Sequence, residues 1–157
     1  MSTSRNFVSG NVLTAAQMDD LNQGIIAFAT PITSNVGPTS STTELDVITA
    51  PAAVIAQTGR RIRITFYFRS FSGTVLNDTF SFRIKEGATT LSELSQQNNA
   101  VSVGQNGCTV IAYVDSPTAA SHTYKATIVR STGTGTATIQ AAATFPITLA
   151  VEDVGTV

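Results

Sequence analysis

Charged side chains make up only 12% of this 157-residue chain, about half the usual share of roughly 25%. Nine Lys and Arg stand against ten Asp and Glu, for a net charge of -1, and the pI is near 5.7. A domain that lived on nucleic acid would carry a basic stripe and a higher pI, so no nucleic-acid partner is expected. The one basic cluster, Arg60, Arg61, Arg63 and Arg69, reads as a solvated strand face or an intersubunit salt-bridge site. Tryptophan is missing and cysteine occurs once, as Cys108. That excludes an intrachain disulfide, a multi-cysteine metal site and the Trp-and-disulfide core of antibody domains. No apolar run approaches the ~18 residues of a membrane-spanning helix, so no membrane insertion is expected. Residues 1–5 are polar and no continuous apolar stretch follows. The chain is therefore expected to be made in a cytoplasm and to reach its place without a Sec-type signal.

Histidine also occurs once, as His122, so any Ser-His-Asp or Cys-His mechanism would have to use it. It opens a strand-like segment and reads as a structural residue on a hairpin arm. No Gly-x-Ser-x-Gly elbow, phosphate-binding Gly-Lys-Ser/Thr or His-Glu-x-x-His is present. The adjacent carboxylates Asp19-Asp20 and Glu152-Asp153 read as helix-start charge and solvated tail, not as a glycosidase pair. Asn77-Asp78 alone is too thin for a calcium site. The expectation is a non-enzymatic protein without catalytic residues, metal or cofactor.

What fills the space left by charge is Thr, Ser, Asn and Gln around 42% hydrophobic residues, enough for a real core. β-branched Thr suits a pleated, half-exposed surface, and a surface of hydroxyls and amides suits secreted modules, fibres and virion shells. From residue 44 onward nearly every stretch is strand-like. Residues 61–69 alternate, with Ile62, Ile64, Phe66 and Phe68 on one face and Arg or polar residues on the other. Residues 79–85 repeat the pattern through Phe80, Phe82 and Ile84, and residues 122–130 through Tyr124, Ala126 and Ile128. Further strands are expected at 44–49, 90–94, 100–103, 108–114, 136–143 and 147–151. Cys108 falls at the start of one of them, as a small buried residue. Turn signals between these segments point to an antiparallel β-sandwich, jelly-roll-like or immunoglobulin-like.

Ahead of this domain the sequence carries one helix signal. Thr14-Ala15-Ala16-Gln17 fits a capping box, with Leu13 and Met18 placed as its hydrophobic staple. Met18, Leu21, Ile25 and Phe28 follow at a spacing of three to four, giving one apolar stripe. Pro31 ends it, so a helix is expected over residues 15–29. The organisation expected is an N-terminal arm and helix over 1–30, a linker or long loop over 31–43, and a β-sandwich over 44–157. A helix this short is marginal alone in water. It must dock on its own domain, on sister copies or on a partner.

The run Phe7-Val8-Ser9-Gly10-Asn11-Val12-Leu13-Thr14-Ala15-Ala16-Gln17-Met18-Asp19-Asp20-Leu21-Asn22 resembles an N-terminal element of tailed-bacteriophage structural proteins. There an aromatic residue and a turn around Gly precede Val-Leu-Thr-Ala-Ala and a helix. Ser116-Pro117-Thr118-Ala119-Ala120-Ser121-His122-Thr123-Tyr124 and Thr148-Leu149-Ala150-Val151-Glu152-Asp153-Val154-Gly155 are similar to strands near the end of such proteins. The likeness touches both ends of the chain, and the middle shares only its β pattern. It implies a virion component: a capsid-decoration, minor tail or tail-fibre protein, commonly homotrimeric and in contact with other capsid or tail proteins. On that reading Phe7, Val8, Leu13, Met18, Leu21, Ile25 and Phe28 are the docking and oligomerisation residues. A staple closing the domain's own base accounts for the first four equally. Two other classes compete: a β-sandwich that binds a host-surface glycan by stacking on Tyr67, Tyr113 or Tyr124, and an enzyme such as a depolymerase.

Overall fold

The alternation of residues 61–69 becomes the longest of the described strands, β5 (Arg60–Gly73). In the computed structural model, which describes residues 24–39 and 42–157, it organises a sheet of six strands. β8 (Gln105–Asp115) runs antiparallel along one edge of β5. The opposite edge is shared. β12 (Thr148–Thr156) pairs with its first half and β11 (Ala137–Gln140) with its last four residues. β1 (Gly24–Phe28) and β2 (Val36–Thr39) extend the sheet outward from β12 and β11 respectively.

A second sheet of four antiparallel strands has the order β3 (Leu45–Thr49), β10 (Tyr124–Thr132), β6 (Thr79–Glu86) and β7 (Thr89–Gln97). A two-stranded ladder, β4 (Ala53–Val54) with β9 (Ser121–His122), lies apart from both. The two large sheets face each other through aromatic rings. Phe68 and Phe71 of β5 meet Phe82 of β6 at centroid separations of 4.6 and 5.4 Å, and Phe71 meets Phe80 at 6.1 Å. All are buried. Each such ring contributes about 1.5–3 kcal/mol by leaving water, and the pairs about 0.5–1.5 kcal/mol more. The chain passes back and forth between the sheets, as in a jelly roll.

One irregularity explains how β5 serves two partners on one edge. Its inward–outward alternation holds through Phe68, then Arg69 and Ser70 both face away from the core before Phe71 turns in. Gly107 of β8 sits opposite. A Cβ there would lie 2.1 Å from the carbonyl oxygens of Phe68 and Arg69, so only glycine lets the two backbones approach at this kink.

The expected strands over 44–49, 61–69, 79–85, 90–94, 108–114, 122–130 and 147–151 are all present, with shifted ends. Three expectations need correction. Residues 24–28 of the expected 15–29 helix form β1, and residues 15–23 lie outside the described residues. The expected 31–43 linker contains β2, and with β1 this puts two strands of the sandwich ahead of residue 44. Residues 100–103 make only an isolated bridge, Val101 to Gly73, and no strand, whereas the polar residues 95–97 belong to β7.

Gly24 pairs with Asp153, and the Val157 N–H donates to the Gly59 carbonyl. Both ends of the described C-terminal body therefore lie at the end of the sandwich where β5 begins, here called the base. Arg60 and Asp153 close that base as a buried bidentate ion pair, with Nε–Oδ2 and Nη2–Oδ1 both at 2.8 Å. The Gly155 N–H donates to Asp153 as well, at 3.0 Å. At the opposite end, buried Asp78 accepts backbone N–H bonds from Thr134 and Gly135 and ties the β5–β6 loop to the β10–β11 connection.

Candidate assembly face

The chemically versatile side chains are engaged in structural roles. His122 Nδ1 lies 2.6 Å from Glu86 Oε1 and its Nε2 lies 2.9 Å from the Thr118 carbonyl. The Glu86 carboxylate, and then the Thr118 carbonyl, raise the imidazole above its ordinary pKa against the opposing effect of burial. This histidine pins the 116–120 loop to the end of β6 at the base. Cys108 is buried, and burial pushes its thiol up to about 12, so it is not a nucleophile at neutral pH. Among the described residues no three His, Cys, Asp or Glu side chains gather as a metal site would require. No described helix is long and apolar enough to cross a membrane.

The outer faces of the two sheets differ sharply in chemistry. On the four-stranded sheet, Arg83 bridges Glu44 and Glu93, Lys85 pairs with Glu44, and Lys125 pairs with Asp46 at 2.8 Å. Ser81 joins Ser95, Ser131 and Glu93 in a hydroxyl cluster. The Ser81 hydroxyl and the Arg83 guanidinium hold Glu93 below the usual carboxylate range. For Glu44, burial pushes the pKa upward, but bonds from Lys85 and Arg83 outweigh it and the net shift is downward. This is a face finished for water.

The outer face of the six-stranded sheet is organised in cross-strand rows. One row runs Ile25, Glu152, Arg63, Tyr113 across β1, β12, β5 and β8; the next runs Phe28, Ala150, Thr65, Ile111; a third runs Thr148, Tyr67, Thr109. Ile25, Phe28, Tyr67, Ile111 and Tyr113 are all exposed, with Ile25 at 62% and Tyr113 at 57%. The second and third rows hold no charge at all. The charges nearby are closed within the chain. Arg63 reaches Glu152 at 2.7 Å, and Arg61 grips Asp115 with two bonds of 2.6 and 2.8 Å. Each pairing raises its arginine, and Arg61 lowers Asp115. Arg69 lies over the Phe145 ring, 4.6 Å from its centroid. The basic cluster legible in the sequence is thus divided between an internal clamp, two strand-to-strand pairs and one aromatic contact.

Of the residues expected to dock or oligomerise, Phe7, Val8, Leu13, Met18 and Leu21 lie outside the described residues. Ile25 and Phe28 are present on β1 and project outward, as strand residues and not as a helical stripe. Of the three tyrosines considered for stacking, Tyr67 and Tyr113 are exposed and share this face, while Tyr124 is fully buried in the core. Ile111 was not singled out by sequence reasoning, although a signal existed. In Val110-Ile111-Ala112-Tyr113-Val114 both alternating sets are apolar, and a strand apolar on both sides is normally covered on both.

No family model matches the chain, and no curated protein matches it. Two solved structures are similar in outline. One is an Eiger TNF from S. frugiperda, 11% identical, with a TM-score of 0.47 over 86% of this chain and 95% of that one. The other is the enzymatically active domain of Bacteriophage CBA120 tailspike protein 4. It is 13% identical, with a TM-score of 0.30 over 85% of this chain and 19% of that one. Likenesses this distant carry no argument about function.

Proposed function

We propose that this chain is a non-enzymatic structural protein of a bacteriophage virion, displayed at the particle surface as a homotrimeric capsid-decoration or spike protein. The observation that carries the reading is the apolar outer face of the six-stranded sheet, centred on Phe28, Tyr67 and Ile111. A water-exposed sheet face normally looks like the other one, laced with charge pairs and hydroxyls. Contiguous apolar surface rimmed by polar residues marks a protein contact. The sparse surface charge and the phage-like segments at both ends of the sequence support the same reading. The N-terminal region, with Phe7, Val8, Leu13 and Met18, precedes Gly24 in the sequence and would anchor the protein to other capsid or tail proteins. The loops 74–78 and 98–104 would then point outward.

The reading is tested by locating the protein in an intact particle by imaging and by measuring binding of the purified full chain to particles. Discrete copies on the capsid or tail and saturable binding are expected. A protein that is monomeric at micromolar concentration and ignores particles would sink it. A second reading has one observation in its favour. Tyr67 and Tyr113 stand exposed on one face, as a minor tail or tail-fibre protein that stacks on a host-surface glycan would require. A glycan array without hits would remove it.

A further inference from the structure

We infer that the outer face of the six-stranded sheet packs against the same sheet of further copies of this chain. The inference rests on the virion reading for its setting and deepens it by naming what covers the face. The two uncharged rows, with strands about 4.8 Å apart and rows about 6.8 Å apart, give a centre of roughly 200 Å². A standard interface needs roughly 800 Å² on each partner. The remainder is available around that centre as a rim of different character, in which Arg61–Asp115 and Arg63–Glu152 are already paired. An uncharged, aromatic-bearing centre with Arg-rich polar margins is the normal anatomy of a protein–protein interface.

Charge decides in favour of a second copy over a different partner. A heterologous partner is commonly selected by opposite potential, and this face offers little, because Arg61 and Arg63 at its margin are each matched by a carboxylate on a neighbouring strand and the remaining cation, Arg69, lies over the Phe145 ring. A like surface meets it without repulsion. The whole chain carries only -1, so copies gather at little electrostatic cost. Tyr113, opposite Arg63 on β8 and 57% exposed, adds an aromatic at the margin of the patch.

The test uses the full chain at micromolar concentration, with mass measured by light scattering on a sizing column and fold by far-UV circular dichroism. Wild type is expected to run as a discrete oligomer. Ile111→Glu is expected to lower the mass about threefold, to that of one chain, with an unchanged spectrum. Thr90→Glu, on the exposed edge of the other sheet, is expected to leave the oligomer intact. Should Ile111→Glu lose its β spectrum, Tyr113→Arg at the margin decides in its place. A wild-type monomer, or a folded Ile111→Glu or Tyr113→Arg protein that keeps the full oligomer mass, overturns the inference. Particle binding separates the two ideas. A face variant that stays oligomeric but no longer binds particles overturns this inference and leaves the virion reading standing. A wild-type oligomer that ignores particles supports this inference and overturns the other.

Discussion

The buried Arg60–Asp153 pair offers a sharp quantitative test of how the base is held. Replacing Asp153 with Leu leaves the Arg60 guanidinium in a site shut off from water, stripped of two 2.8 Å bonds. Breaking one side of a buried pair costs about 3–5 kcal/mol, against a total domain stability of about 5–15 kcal/mol. Exchanging both residues, Arg60→Met with Asp153→Leu, removes the stranded charge. It should cost only about 1 kcal/mol, the worth of the bond that Gly155 N–H then loses. With a urea slope of about 2 kcal/mol/M, the single variant should unfold about 2 M earlier than wild type, and the double variant within about 0.5 M of it. The assay is urea unfolding followed by far-UV circular dichroism at one fixed protein concentration, because self-association would otherwise shift the midpoint. A single variant that loses less than about 1 kcal/mol, or a double variant as unstable as the single, would refute the reasoning.

Three further outcomes follow from particular residues. His122 binds its proton more tightly in the folded protein than unfolded, so its contribution is complete below about pH 6.5 and fades as pH rises through the higher folded value; histidine NMR titration should place that value above 6.5, and Glu86→Gln should bring it down. Cys108 should resist thiol reagents in the native protein and react only on unfolding, given its burial; rapid modification at neutral pH would contradict its placement. Gly107→Ala should destabilise by about 1–3 kcal/mol because the new methyl meets backbone oxygens that cannot swing away; an unchanged melting temperature would show that β5 and β8 can separate locally.

The β-sandwich was legible because strands buried on one side write their geometry into alternate residues, as in Ile62, Ile64, Phe66 and Phe68. The failure at residues 24–28 has a specific cause. β1 carries a register shift between Ile25 and Ala27, so Ile25 and Phe28, three apart, point the same way. A bulge in a strand thus imitates the three-to-four spacing of a helix face, and the preceding Thr14–Gln17 capping pattern made the imitation persuasive. β2 was hidden for another reason. Its Val36-Gly37-Pro38-Thr39 is turn-like in composition, yet Gly37 adopts φ 125° and sits against the Ala137 carbonyl, and proline is admissible on an outermost strand. The candidate assembly face was half legible. Ile25 and Phe28 were singled out on a helical argument, and Tyr67 and Tyr113 as stacking residues. Only the pairing of β1, β12, β5 and β8 puts all four on one surface with Ile111.

Because Gly24 and Val157 share the base, a passenger domain fused after Val157 would emerge beside the incoming chain and crowd whatever lies beneath. Cargo meant to project should instead be spliced between Val75 and Leu76, which stand exposed in the loop after β5. The 14 residues of that strand would then act as a rigid mast of about 45 Å.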